Sequence, residues 1–116
     1  MTQTTTVSKI VFPGNLVVGA AQAAEFWQVS NTIAGASDTS CDLTFTLKNE
    51  YASVPAICGT PLLTPGEGSS TTAITDWYIK SQSTSAIVIT VNVNAAAGAD
   101  KSNTITMCAA IIGPQA

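Results

Sequence analysis

Between residues 41 and 48 apolar and polar side chains alternate one for one, and this period of two recurs along most of the chain. Successive side chains of a strand point to opposite faces. Leu43, Phe45 and Leu47 are therefore expected on a buried face, with Asp42, Thr44, Thr46 and Lys48 opposite. The same pattern puts Ile87, Ile89, Val91 and Val93 inside, against Val88, Thr90, Asn92 and Asn94. A last strand over 103–112 carries Ile105, Met107, Ala109 and Ile111 on one face. Its other face runs Thr104, Thr106, Cys108, Ala110, Ile112, so its second half is apolar on both sides. Strands covered on both faces read this way. A two-layer sandwich covers only one face, and a second subunit is expected over the other.

Further strands are predicted over 7–12, ending at Pro13-Gly14, over 26–33, over 54–60 with Pro55 near its start, and over 73–82. The period of 16–18 cannot be read, and 19–25 (GAAQAAE) is expected as a helical turn because Ala and Gln favour helix. Loops are expected at 35–38, at 61–72, the longest and most exposed, and at 95–102. Residues 1–8 form a polar arm expected to extend onto a neighbour, leaving 9–116 as a single β-sandwich domain of about eight antiparallel strands.

Composition sharpens this reading. Charged residues make up 9% of the 116-residue chain, against roughly 25% in ordinary soluble domains, so few ions are available to keep its surface wetted. Thr, Ser, Ala and Asn take their place, the balance of a sandwich or barrel. The four basic residues, Lys9, Lys48, Lys80 and Lys101, are outnumbered by seven acids. No basic patch for nucleic acid or an anionic membrane can be assembled from them. Met1 to Lys9 lacks the apolar run of a secretory signal, and no apolar stretch is long enough for a membrane helix. The three cysteines, Cys41, Cys58 and Cys108, have no CxxC spacing and are expected as buried thiols, with one disulfide and an orphan thiol left open.

The absence of His rules out Ser–His and Cys–His nucleophile pairs. No Walker loop, GxSxG elbow or GxGxxG is present, and Gly66-Glu67-Gly68-Ser69 lacks the Lys of a phosphate cradle. The acids, Glu25 of the expected helical turn included, are not expected to pair for glycoside hydrolysis; most sit in expected loops and strand edges, where carboxylates are ordinarily solvated. Asp38 and Asp42 flank a Ser-containing turn, but not at the spacing of a calcium loop. No enzyme activity, metal or cofactor is therefore expected. The most ligand-like group is Asp76-Trp77-Tyr78, since an aromatic ring beside a carboxylate can stack on a sugar. Trp77 shares a face with Thr75 and Ile79 and is expected in the core, with Asp76 and Tyr78 opposite. Of Phe26 and Trp27, one ring is expected to point inward.

Within residues 47–113, the segments LKNEYASVPAICGTPLLTP, ITDWYIKSQSTSAIVITVNVNAAAG and NTITMCAAIIG resemble the short β-sandwich modules of tailed-bacteriophage virions. The shared layout is a strand entering xYxSVPxI, a Trp-bearing strand, an alternating Ile/Val strand ending in Asn, and a final apolar strand. Capsid decoration (cement) proteins, and more distantly tail-fibre tips and H-type-lectin-like modules, share it. The start at Met1, the short length and the lack of charged aromatic loops favour a decoration protein. The resemblance implies a jelly-roll-like sandwich, a homotrimer, the major capsid protein as partner, and a place in the virion after synthesis in the host cytoplasm. Thr4, Thr5, Thr6, Val7, Cys108, Ala110 and Ile112 are the expected contacts. The alternative is a trimeric tail-fibre or knob module that binds surface glycans through Asp76, Tyr78 and Glu67.

Overall fold

A computed structural model of the chain describes residues 6–10, 22–64 and 72–116. Among these, seven strands form two antiparallel sheets: β1 (Thr6–Ile10), β2 (Gln22–Gly35), β3 (Ser40–Thr46), β4 (Ala56–Thr64), β5 (Ile74–Gln82), β6 (Ala86–Val93) and β7 (Gly98–Pro114). One sheet has the order β1-β2-β7-β4 and the other β3-β6-β5. The expected all-β class is what the structure has, with seven strands described rather than about eight.

The alternating positions do what their pattern predicts. Leu43, Phe45, Ile87, Ile89 and Val91 of the smaller sheet are fully buried against Val29, Ile33, Ile105, Met107 and Ile111 of the larger one. Of the aromatic pair, Trp27 points inward and Phe26 lies on the outer side, half-buried. Polar pins fix how the layers sit. Asn31, buried on the inner face of β2, donates from Nδ2 to the Asp42 carbonyl on β3 at 2.8 Å, and its Oδ1 accepts from the Thr32 N–H.

Several boundaries differ from the sequence reading. Residues 22–25, expected as part of a helical turn, begin β2 instead, because their pairing with 111–114 of β7 outweighs the weak helix preference of Ala and Gln. Thr6 and Val7, assigned to an arm, lie in β1 opposite Ser30 and Val29 of the same chain; Thr4 and Thr5 lie outside the described residues. β4 continues through Pro61 to Thr64, into the expected loop. A proline is tolerated there because β4 is an edge strand. Gly59 in the same strand has a steric reason: a Cβ would collide with the Cys108 carbonyl oxygen. β7 likewise begins at Gly98, inside the expected 95–102 loop, where a φ of 116° requires glycine.

Two corrections concern burial. Trp77 and Ile79 do face inward, opposite Val91 and Ile89 of β6, yet they are 39% and 42% exposed. β5 is the outermost strand of its sheet, and β4, the nearest strand of the other layer, is itself an edge that barely reaches it. Among the described residues the sandwich is open along this side. Of the three cysteines only Cys41 is buried, where desolvation, with Asp42 beside it, pushes the thiol up to about 11. Cys58 and Cys108 are exposed free thiols.

Candidate interaction surface

The two outer faces of the sandwich differ in chemistry. On the smaller sheet, Thr90 of β6 stands between Asp42 of β3 and Tyr78 of β5, Asn92 stands between Ser40 and Asp76, and Thr44 and Thr46 of β3 stand beside Val88 and Ala86. This face is polar and internally bonded. Asp42 accepts from Lys80 Nζ at 2.9 Å and from Thr90 Oγ1 at 2.8 Å. The Lys80 ammonium in particular holds the Asp42 carboxyl below its ordinary range. Asp76 accepts from Thr75 Oγ1 at 3.1 Å and from Asn92 Nδ2 at 3.2 Å. The ions present are engaged with their neighbours, and hydroxyls and amides surround them, with Val88 and Ala86 the aliphatic positions toward one end.

The outer face of the larger sheet is built differently. Pairing sets Phe26 of β2 beside Ala110 of β7, which in turn sits beside Cys58 of β4. Ala24, Ile112 and Ala56 make the next row, and Gln28, Cys108 and Thr60 the row on the other side. Ile112 is 47% exposed and Leu62, further along β4, is 67% exposed. Phe26, Gln28, Cys58, Cys108 and Ala110 line an open groove of about 380 Å³. Toward the far end the face turns to hydroxyls, with Ser30 Oγ and Thr106 Oγ1 2.8 Å apart across β2 and β7. Among the described residues none of the outward positions of β2, of β4, or of β7 from Ser102 onward carries a charge; the exposed Asp100 and Lys101 of β7 lie beyond this stretch, at its irregular start.

The arrangement follows from strand periodicity: once Ile105, Met107, Ala109 and Ile111 turn inward, Cys108, Ala110 and Ile112 must turn out. Contiguous exposed apolar area of this kind marks an interaction site on soluble proteins. The structure brings these three predicted contact residues together on one face, away from Asp76 and Tyr78, which share the polar face. Tyr78 is 51% exposed, and Glu67 lies outside the described residues. Phe26, Cys58 and Leu62 were not anticipated as part of the surface. Register was the missing signal, since only the pairing of β4 and β2 with β7 shows which of their residues share the outer face.

A second cluster that sequence reading missed lies at one end of the core. Glu25, placed at the end of an expected helical turn, is fully buried. Its Oε1 accepts from Trp27 Nε1 at 2.8 Å and from the Lys48 N–H at 2.9 Å, and its Oε2 accepts from the Asn49 N–H and the Tyr51 hydroxyl, each at 2.8 Å. Burial opposes ionisation, but these donors, the Lys48 and Asn49 backbone groups foremost, outweigh it and hold the carboxyl below its ordinary value. Burial also pushes the Tyr51 phenol up to about 12, with the Glu25 charge adding to the effect, so it stays a donor. Every oxygen of Glu25 is engaged by the chain itself, and the cluster ties β2 to the β3–β4 connection.

Compared with family models, curated proteins and solved structures, the chain matches none.

Proposed function

We propose that this chain is a structural subunit of a virion, a capsid decoration protein that self-associates as a homotrimer and binds the major capsid protein lattice. The observation that carries the reading is the uncharged, apolar outer face of the larger sheet, centred on Ala110. A second protein surface laid on it removes apolar area from water at roughly 25 cal/mol per Å². A contact of about 800 Å² then offers on the order of 20 kcal/mol gross, before the losses of association. Copies repeated across a shell add avidity to modest individual contacts. The role is mechanical: each subunit bridges lattice neighbours and resists their separation. The capsid as partner rests on the resemblance of residues 47–113 to phage virion modules. A jelly-roll winding is part of the same reading. From β2 onward, the sheet orders β2-β7-β4 and β3-β6-β5 are those left by rolling up one long antiparallel ribbon.

Ala110→Lys tests this directly, because it places an ammonium in the centre of the outer face without touching the core. The variant is expected to fold and melt as the parent does, yet to lose co-sedimentation with expanded capsids by a factor of about 100 or more, as a buried unpaired charge would require. Maleimide footprinting gives an independent readout. Cys58 and Cys108 are expected to label in the free subunit and to be shielded in the assembly, with Cys41 unreactive in both. Undiminished capsid binding by the variant, or equal labelling free and assembled, sinks the proposal. The tail-fibre reading draws on the exposed Tyr78 beside Asp76. A glycan-array signal abolished by Tyr78→Ala would put it first.

A further inference from the structure

The exposed edge of β5 is complementary in charge and matched in hydrophobicity when laid antiparallel on itself. In the segment Asp76-Trp77-Tyr78-Ile79-Lys80, an acid and a base stand two residues either side of Tyr78, and two apolar residues flank it. We propose that β5 pairs antiparallel with β5 of a second copy, about a two-fold axis at Tyr78. The two three-stranded sheets then join into one sheet of about six strands, in the manner of β-strand addition. This contact lies on a different surface from the outer-face contact proposed above, and it joins copies in pairs.

Four observations converge on it. First, among the described residues nothing pairs with the far edge of β5, the outermost strand of its sheet. Second, Asp76 to Ile79 keeps an unbroken register with β6, and the two irregularities of the strand fall on either side, between Ile74 and Asp76 and between Ile79 and Ser81. The straight window therefore holds the first four residues of the symmetric segment, and Lys80 stands at the irregularity that ends it. Third, face alternation selects the register. Trp77 and Ile79 face inward, so a two-fold contact that continues both faces sets Trp77 opposite itself, Trp77 opposite the partner's Ile79, or Ile79 opposite itself. In the second alignment Tyr78 meets Tyr78, and each Asp76 stands opposite a Lys80. That alignment alone forms two ion pairs.

Fourth, the contact covers what the fold leaves uncovered. Trp77 at 39% and Ile79 at 42% exposure lie on the core face of their strand, at the open side of the sandwich. In the pair each packs across the junction on the other. Proteins that keep an edge from pairing place charge or proline along it. Here the middle of the edge is Trp-Tyr-Ile, and the Lys80 ammonium is drawn onto the polar face by Asp42, with its side chain still 57% exposed and within reach of a second carboxylate.

Charge exchange provides the test. In an Ala110→Lys background, which removes the outer-face contact, sedimentation velocity of the full chain is expected to show a monomer–dimer equilibrium across the micromolar range. Asp76→Lys sets Lys against Lys at both ends of the pair, and Lys80→Asp sets acid against acid. Each is expected to weaken dimerisation about tenfold or more, since attraction becomes repulsion at two symmetric positions. An equimolar mixture of the two variants restores both ion pairs and is expected to form a heterodimer with near-parental affinity. A background that stays monomeric throughout, or a mixture that associates no better than its components, overturns the inference. If Lys80→Asp does not fold, Asp76→Lys decides alone, and unchanged dimerisation overturns it. None of these outcomes bears on capsid binding by the outer face, which the Ala110→Lys comparison reads separately.

Discussion

Glu25→Gln is expected to lower the unfolding free energy by about 2–4 kcal/mol, and the melting temperature by roughly 10 °C. The carboxylate meets four donor groups from Trp27, Lys48, Asn49 and Tyr51 within 3 Å, in a place with no solvent exposure. Glutamine keeps the shape but turns one oxygen into an NH2, so donors meet a donor and lose their acceptor where water cannot replace it. The damage falls on β2 and the β3–β4 connection together, because this side chain, alongside the Asn49 amide that donates to the Ala24 carbonyl, holds them to each other.

The difference between parent and variant also depends on pH, with a sign fixed by the direction of the shift. The folded carboxyl titrates below its ordinary value, so its contribution is fully present above that value and is lost as pH falls through the folded one. Asp42, shifted the same way, is common to both proteins and cancels in the comparison. The gap in melting temperature is therefore expected to be widest near about pH 7 and to close progressively below about pH 4.5, the region in which an ordinary glutamate begins to protonate. Calorimetry of the pair at several pH values checks this. A gap that widens in acid, or a variant that melts with the parent at neutral pH, contradicts the structural role given to Glu25.

Phe45→Ala and Trp77→Ala are expected to diverge, although the two aromatic residues occupy equivalent places in the alternating pattern. Phe45 is fully buried between the sheets, and truncating it removes apolar contacts and leaves a cavity, a cost of about 3–5 kcal/mol. That is a large share of the roughly 5–15 kcal/mol by which domains of this kind are stable. Trp77 is well over one-third exposed at the open side, and its loss from an isolated subunit is expected to cost about 1 kcal/mol or little more. Urea unfolding at low protein concentration, where copies are apart, measures both. Equal costs would mean that the β4–β5 side is closed in solution and that β5 has no uncovered face to offer a second copy.

The contrast shows how far the chain could be read before its structure was known. Strict alternation in 41–48, 87–93 and 103–112 gave the correct inward set in each case, because a period of two leaves only one face for Leu43, Ile89 or Ile105 to bury. The two-sided apolar end of β7 was equally legible and led to the outer face. Other features were not. Ala and Gln at 22–25 carry almost no strand signal, and they are held extended by the ladder to β7 alone. Pro61 looked like the start of a loop because local sequence does not say that β4 is an edge. Cys58 and Cys108 looked like buried thiols because apolar neighbours in sequence do not reveal which face a residue takes or whether that face is covered.

By itself, then, the sequence determined the all-β class and the facing of its clearest strands, since side-chain alternation is a local property of an extended backbone. It also determined the scarcity of ions that leaves one outer surface without charge. Only the tertiary structure decided which strands lie at the edges, that Trp77 faces inward yet meets water, that Glu25 is buried among four donors, and that Phe26, Cys58 and Ala110 share one groove. These depend on pairing and layering between residues far apart in the chain, and no local pattern encodes that geometry.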